Sequence, residues 1–159
     1  MKKNLPFALL IAALPFVATS CSNEDDLPNV DYSVEITGAL VDQETGTIYV
    51  AQGDTLNIES ITVKNLDSDK NAGITGAEYF WDYNFIGNSP FAPYGYKIYV
   101  SDETPLGEHA LTIRMGVVAV DKEPAVGIVN YNVQVIPNDN DAPSTAAVQP
   151  LTKTLGFKN

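Results

Sequence analysis

Residues 108–136 read EHALTIRMGVVAVDKEPAVGIVNYNVQVI. In the first half Leu111, Ile113, Met115 and Val117 share one parity, and in the second Val129, Tyr131, Val133 and Val135 do the same. Successive residues of a strand face opposite sides of a sheet, so each half offers one apolar row to a core and a second row to solvent. Between the halves, Asp121 to Pro124 supply turn chemistry. The two halves are expected as strands over 108–120 and 126–136, paired as one long antiparallel hairpin.

Upstream the same pattern recurs. Five more strands are expected over 32–41, 46–51, 54–65, 77–86 and 96–101, separated by Gly, Asp and Pro turns, with almost no helical period. In the first, Tyr32, Val34 and Ile36 alternate with Ser33, Glu35 and Thr37. The third breaks its rhythm: Leu56 and Ile58 have one parity, Ile61 and Val63 the other. A one-residue bulge near Glu59 or Ser60 would keep both pairs inward. Seven short strands in roughly 100 residues describe an all-β sandwich of the immunoglobulin type.

Four segments carry a family resemblance. VAQGDTLNIES (50–60) resembles a strand that follows a Gly-Asp turn, EYFWDYN (78–84) a Tyr-x-Trp-Asp-Phe core strand, LGEHALTIRM (106–115) the start of the next-to-last strand, and YNVQVIP (131–137) the closing strand of PKD-like and immunoglobulin-like modules of bacterial surface proteins. The likeness spans residues 46–137, and the order of the segments carries it. The usual Gly-Asp-Gly after Trp-Asp-Phe is replaced by Asn84, Phe85, Ile86 and Gly87. The resemblance implies a non-catalytic spacer, adhesion or recognition module. It also implies that Trp81 is the central core residue and that His109 holds the place of a structural corner tyrosine.

The amino terminus has a different logic. Lys2 and Lys3 precede an apolar stretch from Leu5 to Ala18, and Ala18, Thr19 and Ser20 precede Cys21, the only cysteine. This is the layout of a secretory signal over residues 1–20, with Cys21 as the lipid-attachment residue. The apolar run is shorter than the roughly 20 residues a span requires, and Pro6 and Pro15 interrupt it. Ser22 to Asp26 resembles the acidic tags that send lipoproteins to the surface of some Gram-negative bacteria. The expected location is therefore the outer membrane, lipid-anchored and surface-exposed, with residues 21–31 as lipidated cysteine and flexible tether. The sandwich domain is expected over 32–137, and residues 138–159, rich in Asn, Asp, Pro, Ser and Thr, as a disordered tail.

Charge narrows the partners. The chain carries a formal −11, which becomes −13 once Lys2 and Lys3 leave with the signal. Such a surface repels phosphate backbones, so nucleic acid is excluded as a partner and membrane attachment falls to acyl chains. No cofactor is expected. A polysaccharide or a surface protein remains as ligand, with a structural role in an outer-membrane assembly as the alternative.

The candidate ligand-binding residues are Phe91, Tyr94 and Tyr96, set among Pro and Gly in GNSPFAPYGYKIY (87–99). Aromatic rings held by proline on a rigid scaffold supply contact area at low entropy cost. The competing reading is a loop that folds its own rings over an open end of the sandwich. Asp67, Asp69, Asn71 and Glu78 match the ligand spacing of a calcium loop, but Ala72 stands where glycine permits the sharp turn and strands flank the segment, so a polar inter-strand loop is expected. His109, the only histidine, has no nucleophile beside it in sequence, and no Gly-x-Ser-x-Gly elbow exists, so no catalytic residue is assigned.

Overall fold

The structure is a computed structural model that describes residues 27–138 and 149–157. The signal segment, Cys21, the first part of the tether and residues 139–148 lie outside the described residues. Ten strands follow one another: β1 (Asn29–Thr37), β2 (Leu40–Val41), β3 (Ile48–Ala51), β4 (Thr55–Asn65), β5 (Ala72–Trp81), β6 (Asn84–Ser89), β7 (Tyr96–Tyr99), β8 (Gly107–Ala119), β9 (Ala125–Ile136) and β10 (Gln149–Gly156). They form a four-stranded sheet ordered β10-β1-β4-β7 and a six-stranded sheet ordered β2-β3-β9-β8-β5-β6. The order β1-β4-β7 against β9-β8-β5 is that of strands A, B, E against G, F, C in an immunoglobulin-like sandwich.

The hairpin of 108–136 forms as its alternation requires. Leu111 faces Tyr131, Ile113 faces Val129, and all four are buried. The bulge in β4 is also present: Glu35 pairs with Ser60 and Ile36 with Ile58, so Glu59 is the extra residue. Leu56, Ile58 and Ile61 all reach the core, and Val63 packs at its margin. The Glu59 carboxylate accepts from the Thr37 hydroxyl at 2.6 Å, which occupies the side chain that the bulge displaces.

Three expected strands are divided or moved. The segment 32–41 begins at Asn29 and breaks at Gly38, where the chain leaves the four-stranded sheet and enters the six-stranded one. Gly38 has φ +72°, and a Cβ there would stand 2.1 Å from the Thr55 carbonyl oxygen. Only glycine fits that crossing. The segment 77–86 becomes β5 and β6, joined by a two-residue turn in which Asp82 (φ 47°) and Tyr83 (φ 67°) are both left-handed. That is the turn whose twist suits a tight hairpin, and aspartate tolerates the conformation. Residues 72–76 also join β5, because a bulge between Ile74 and Gly76 keeps Ile74, Ala77 and Tyr79 on the inner face.

Both expected flexible ends are corrected in part. Val30, placed in the tether, is fully buried in β1 between partners Asn65 and Leu155. Of the tail expected to be disordered, Gln149–Gly156 forms β10 on the outer edge of β1. Leu151 is buried there, and the Gln149 amide bridges the two sheets by accepting from Val41 N at 2.8 Å and donating to Ala39 O at 2.7 Å. A bare β1 edge and two apolar side chains four residues apart outweigh the polar composition of the segment.

The core is not centred on Trp81. Tyr79 and Tyr131 are the largest fully buried side chains, whereas Trp81, the last residue of β5, is half-buried and packs at the margin. Position at the end of a strand, beside the hairpin turn, keeps its ring from being enclosed.

Gly38→Ala is expected to cost about 2 kcal/mol or more, since a left-handed backbone and a clash with main chain act together. Urea unfolding would measure it. Wild-type stability in this variant would mean that the crossing relaxes without glycine.

Candidate functional site

The flank of the sandwich where β6 and β7 run holds the most unusual chemistry. Tyr79 of β5 stacks on Tyr96 of β7 with centroids 4.8 Å apart and planes 13° from parallel. Its hydroxyl donates to the Tyr94 carbonyl, and the Tyr94 hydroxyl in turn donates to Ile74 O at 2.5 Å. The Tyr96 hydroxyl donates to Ile86 O, and only glycine at 87 lets that ring through, since a Cβ would stand 2.3 Å from the hydroxyl oxygen. Burial pushes the Tyr79 phenol well above its usual range, so it stays a donor. Three tyrosines thus staple the loop after β6 across the open side of the core.

This separates the three candidate binding residues. Tyr94 and Tyr96 are half-buried, with rings packed against the core and hydroxyls bonded to main chain, so the expectation of free, exposed rings fails for both. Phe91 is 80% exposed and stands free of the core. Sequence reasoning could not divide them, because Pro and Gly surround all three. It missed Tyr83, Phe85 and Tyr99, which are 84%, 60% and 64% exposed. Every aromatic side chain more than half exposed among the described residues belongs to the stretch from Tyr83 to Tyr99.

Between β6 and β7 lies a groove of about 350 Å³. Ile86, Ile98 and Val100 line it, Trp81 and Tyr99 flank it, and Lys97 is the only charged residue among its described lining. Trp81 is tilted against His109 with centroids 5.2 Å apart.

His109 is held on both sides. Its Nδ1 lies 2.7 Å from Asp82 Oδ2 and its Nε2 2.7 Å from Pro105 O. Asp82 Oδ1 also accepts from Ala110 N at 2.9 Å, so one carboxylate pins the β5–β6 turn to β8. Burial works against the charged imidazole, but the Asp82 and Pro105 hydrogen bonds outweigh it and raise the His109 pKa. For Asp82 burial acts upward too, yet the Ala110 amide and His109 hold the carboxyl below its usual range. The corner role expected of His109 is thus filled by an ion pair rather than by a phenol.

The calcium-loop residues are scattered. Glu78 lies on β5, seven residues and roughly 20 Å of strand from Asn71, and accepts from Arg114 Nε at 2.7 Å. Asp67 accepts from Asn29 Nδ2 at 3.1 Å and lies 3.4 Å from Lys122 Nζ. Lys70 pairs with Asp121. Among the described residues no three His, Cys, Asp or Glu side chains gather as a metal site. No helix among them is long and apolar enough to cross a membrane.

No family model matches the chain, and no curated protein matches it. Among solved structures it is similar to the fibronectin(III)-like modules of CbhA from Clostridium thermocellum, with 16% identity over 70% of this chain and 47% of that one and a TM-score of 0.40. This chain therefore spans about half the length of that structure. The sandwich assignment rests on the strand order itself.

Two outcomes follow from the geometry. Tyr94→Phe removes the donor to Ile74 O and should cost about 1–2 kcal/mol in urea unfolding, whereas Phe91→Ser should stay within about 0.5 kcal/mol of wild type. The His109 contribution is complete below its unfolded pKa of about 6.5 and fades as pH rises through the raised folded value, while that of Asp82 is complete above about 3.9 and fades as pH falls. The difference in melting temperature between wild type and His109→Gln should therefore be largest near pH 5 and smaller at pH 9. A difference independent of pH would show that the pair carries no charge.

Proposed function

We propose that the chain is a non-catalytic recognition or adhesion module, displayed on the outer membrane by a lipid on Cys21, that contacts a polysaccharide or a surface protein through the flank formed by β6, β7 and their turns. The observation that supports this most is that every aromatic side chain more than half exposed among the described residues comes from the single stretch that builds β6, β7 and their turns. Aromatic side chains exposed singly need no explanation, but Tyr83, Phe85, Phe91 and Tyr99 come from one short stretch that also borders a groove. They offer large contact area with few rotatable bonds.

The signal layout and the acidic residues after Cys21 support surface display. The engagement of His109 by Asp82 and Pro105 supports a clamp role for it. A second reading, an accessory subunit of an outer-membrane assembly, is favoured by a separate observation: β6 and β7 are both sheet edges, open to a partner strand.

Metabolic labelling with an alkyne fatty acid should tag the chain, and Cys21→Ser should abolish the tag. Retention on cell-surface polysaccharides and on captured surface proteins should fall about tenfold in Phe91→Ser and Tyr83→Ser with melting temperature unchanged. Labelling that survives Cys21→Ser would remove the anchor, and binding indifferent to both aromatic changes would remove the flank.

A further inference from the structure

Two sheet edges face the groove. Among the described residues β6 pairs with β5 alone and β7 with β4 alone. At the end of β7, Val100 N donates to Asp54 O at 2.9 Å and Val100 O accepts from Gly53 N at 2.7 Å. Backbone groups alternate sides along a ladder, and Ile98 faces Leu56, so Ile98 also turns its N–H and C=O toward β4. The same alternation turns those of Lys97 and Tyr99 away from β4, into the seam. A constant-type immunoglobulin sheet carries a further strand on this side of the position of β7. Here the fourth strand of the sheet, β10, lies at the opposite edge, on β1. The segment between β6 and β7 passes through Pro90 and Pro93, which have no N–H to give to a ladder.

The character of the lining separates an extended peptide from a sugar. A saccharide ring stacks on an open aromatic face. One face of Tyr96 is already covered by Tyr79, and Trp81 leans on His109. Of the rings bordering the groove, Tyr99 alone is largely exposed among the described residues. What the seam offers instead is main-chain donors and acceptors at one wall and an aliphatic floor of Ile86, Ile98 and Val100. That combination fits a strand whose alternate side chains point inward.

We propose that the seam is the docking site for an extended segment of another protein, which adds as a strand to the free edge of β7 and buries alternate apolar side chains on that floor. This rests on reading the chain as a recognition module, and it makes the partner a protein. β7 spans four residues, roughly 13 Å at about 3.3 Å per residue, so a segment of about four to six residues fills it. A second copy of the chain is the poorer occupant, because each carries a formal −11 and like-charged surfaces resist association. Lys97 stands beside the edge to meet a carboxylate of the incoming strand.

The test uses the full chain in detergent as bait for a phage-displayed library of random peptides of about twelve residues, followed by synthesis of the enriched sequences. Enrichment of alternating apolar residues is expected. A saturating synthetic peptide should slow hydrogen exchange at the Lys97 and Tyr99 amides about tenfold or more. Lys97→Pro and Tyr99→Pro each delete one seam-facing N–H and leave the β4 ladder intact, so each should weaken peptide binding about tenfold with little change in melting temperature. Should either variant fold poorly, N-methylation of the peptide replaces it: methyl groups at one parity should abolish binding and those at the other should not.

No alternating sequence among the enriched peptides, protection elsewhere, or binding indifferent to both Pro substitution and N-methylation would overturn the proposal. So would a dimer in sedimentation that Lys97→Pro dissolves, since it would assign the edge to a second copy. Polysaccharide retention that survives while seam peptides fail would sink the strand-docking inference alone and leave the recognition module standing.

Discussion

The Tyr79 side chain is the interaction on which the rest of this sandwich depends. Its ring is fully buried, is stacked on Tyr96 and sends its hydroxyl to the Tyr94 carbonyl. A chain with a single cysteine can form no cross-sheet disulfide within itself to fix the separation of its layers. Here an aromatic pair joins β5 of one sheet to β7 of the other, and the hydroxyls of Tyr79, Tyr94 and Tyr96 donate to the main-chain carbonyls of Tyr94, Ile74 and Ile86.

That staple has a consequence for the surface. With Tyr94 and Tyr96 drawn inward, the loop leaves Phe91 outside, and the turn at Asp82 and Tyr83 leaves Tyr83 and Phe85 outside as well. The same loop carries the chain from β6 to β7 without building a strand between them. An apolar seam then stays open along two sheet edges, a condition natural sheets usually avoid with charge, bulges or a covering element. One lysine, Lys97, is the modest protection present among the lining residues.

The opposite flank is managed differently. β10 covers the outer edge of β1, Leu155 reaches over Gly127, where a Cβ would stand 2.4 Å from its Cδ2, and Gln149 ties the strand to Ala39 and Val41. The Lys153 ammonium lies 5.9 Å from the ring centroid of Tyr131. The two ends of the four-stranded sheet therefore contrast: one edge is closed by β10, and the other carries no strand among the described residues.

The alternation of Leu111 to Val117 and Val129 to Val135, and the parity break at Glu59, were enough to determine the all-β class, the central hairpin and the position of a bulge. Each is a local pattern, because a period of two and a change of parity are written in consecutive residues. The acidic charge and the lone cysteine were equally legible. What only the tertiary structure decided concerns burial at equal local character. Asp82 and Tyr83 sit in a stretch whose alternation runs on through Phe85 and hides the turn; it is the Asp82 carboxylate on Ala110 and His109, far along the chain, that holds it. Tyr94 and Phe91 share one Pro-rich loop, and only the distant carbonyl of Ile74 makes the first of them internal. Gln149 to Gly156 is polar by composition, and becomes a strand because the edge of β1, more than a hundred residues earlier, offers it partners. Periodicity reports which residues could face a core; which of them do is settled by contacts between segments that the order of residues does not bring together.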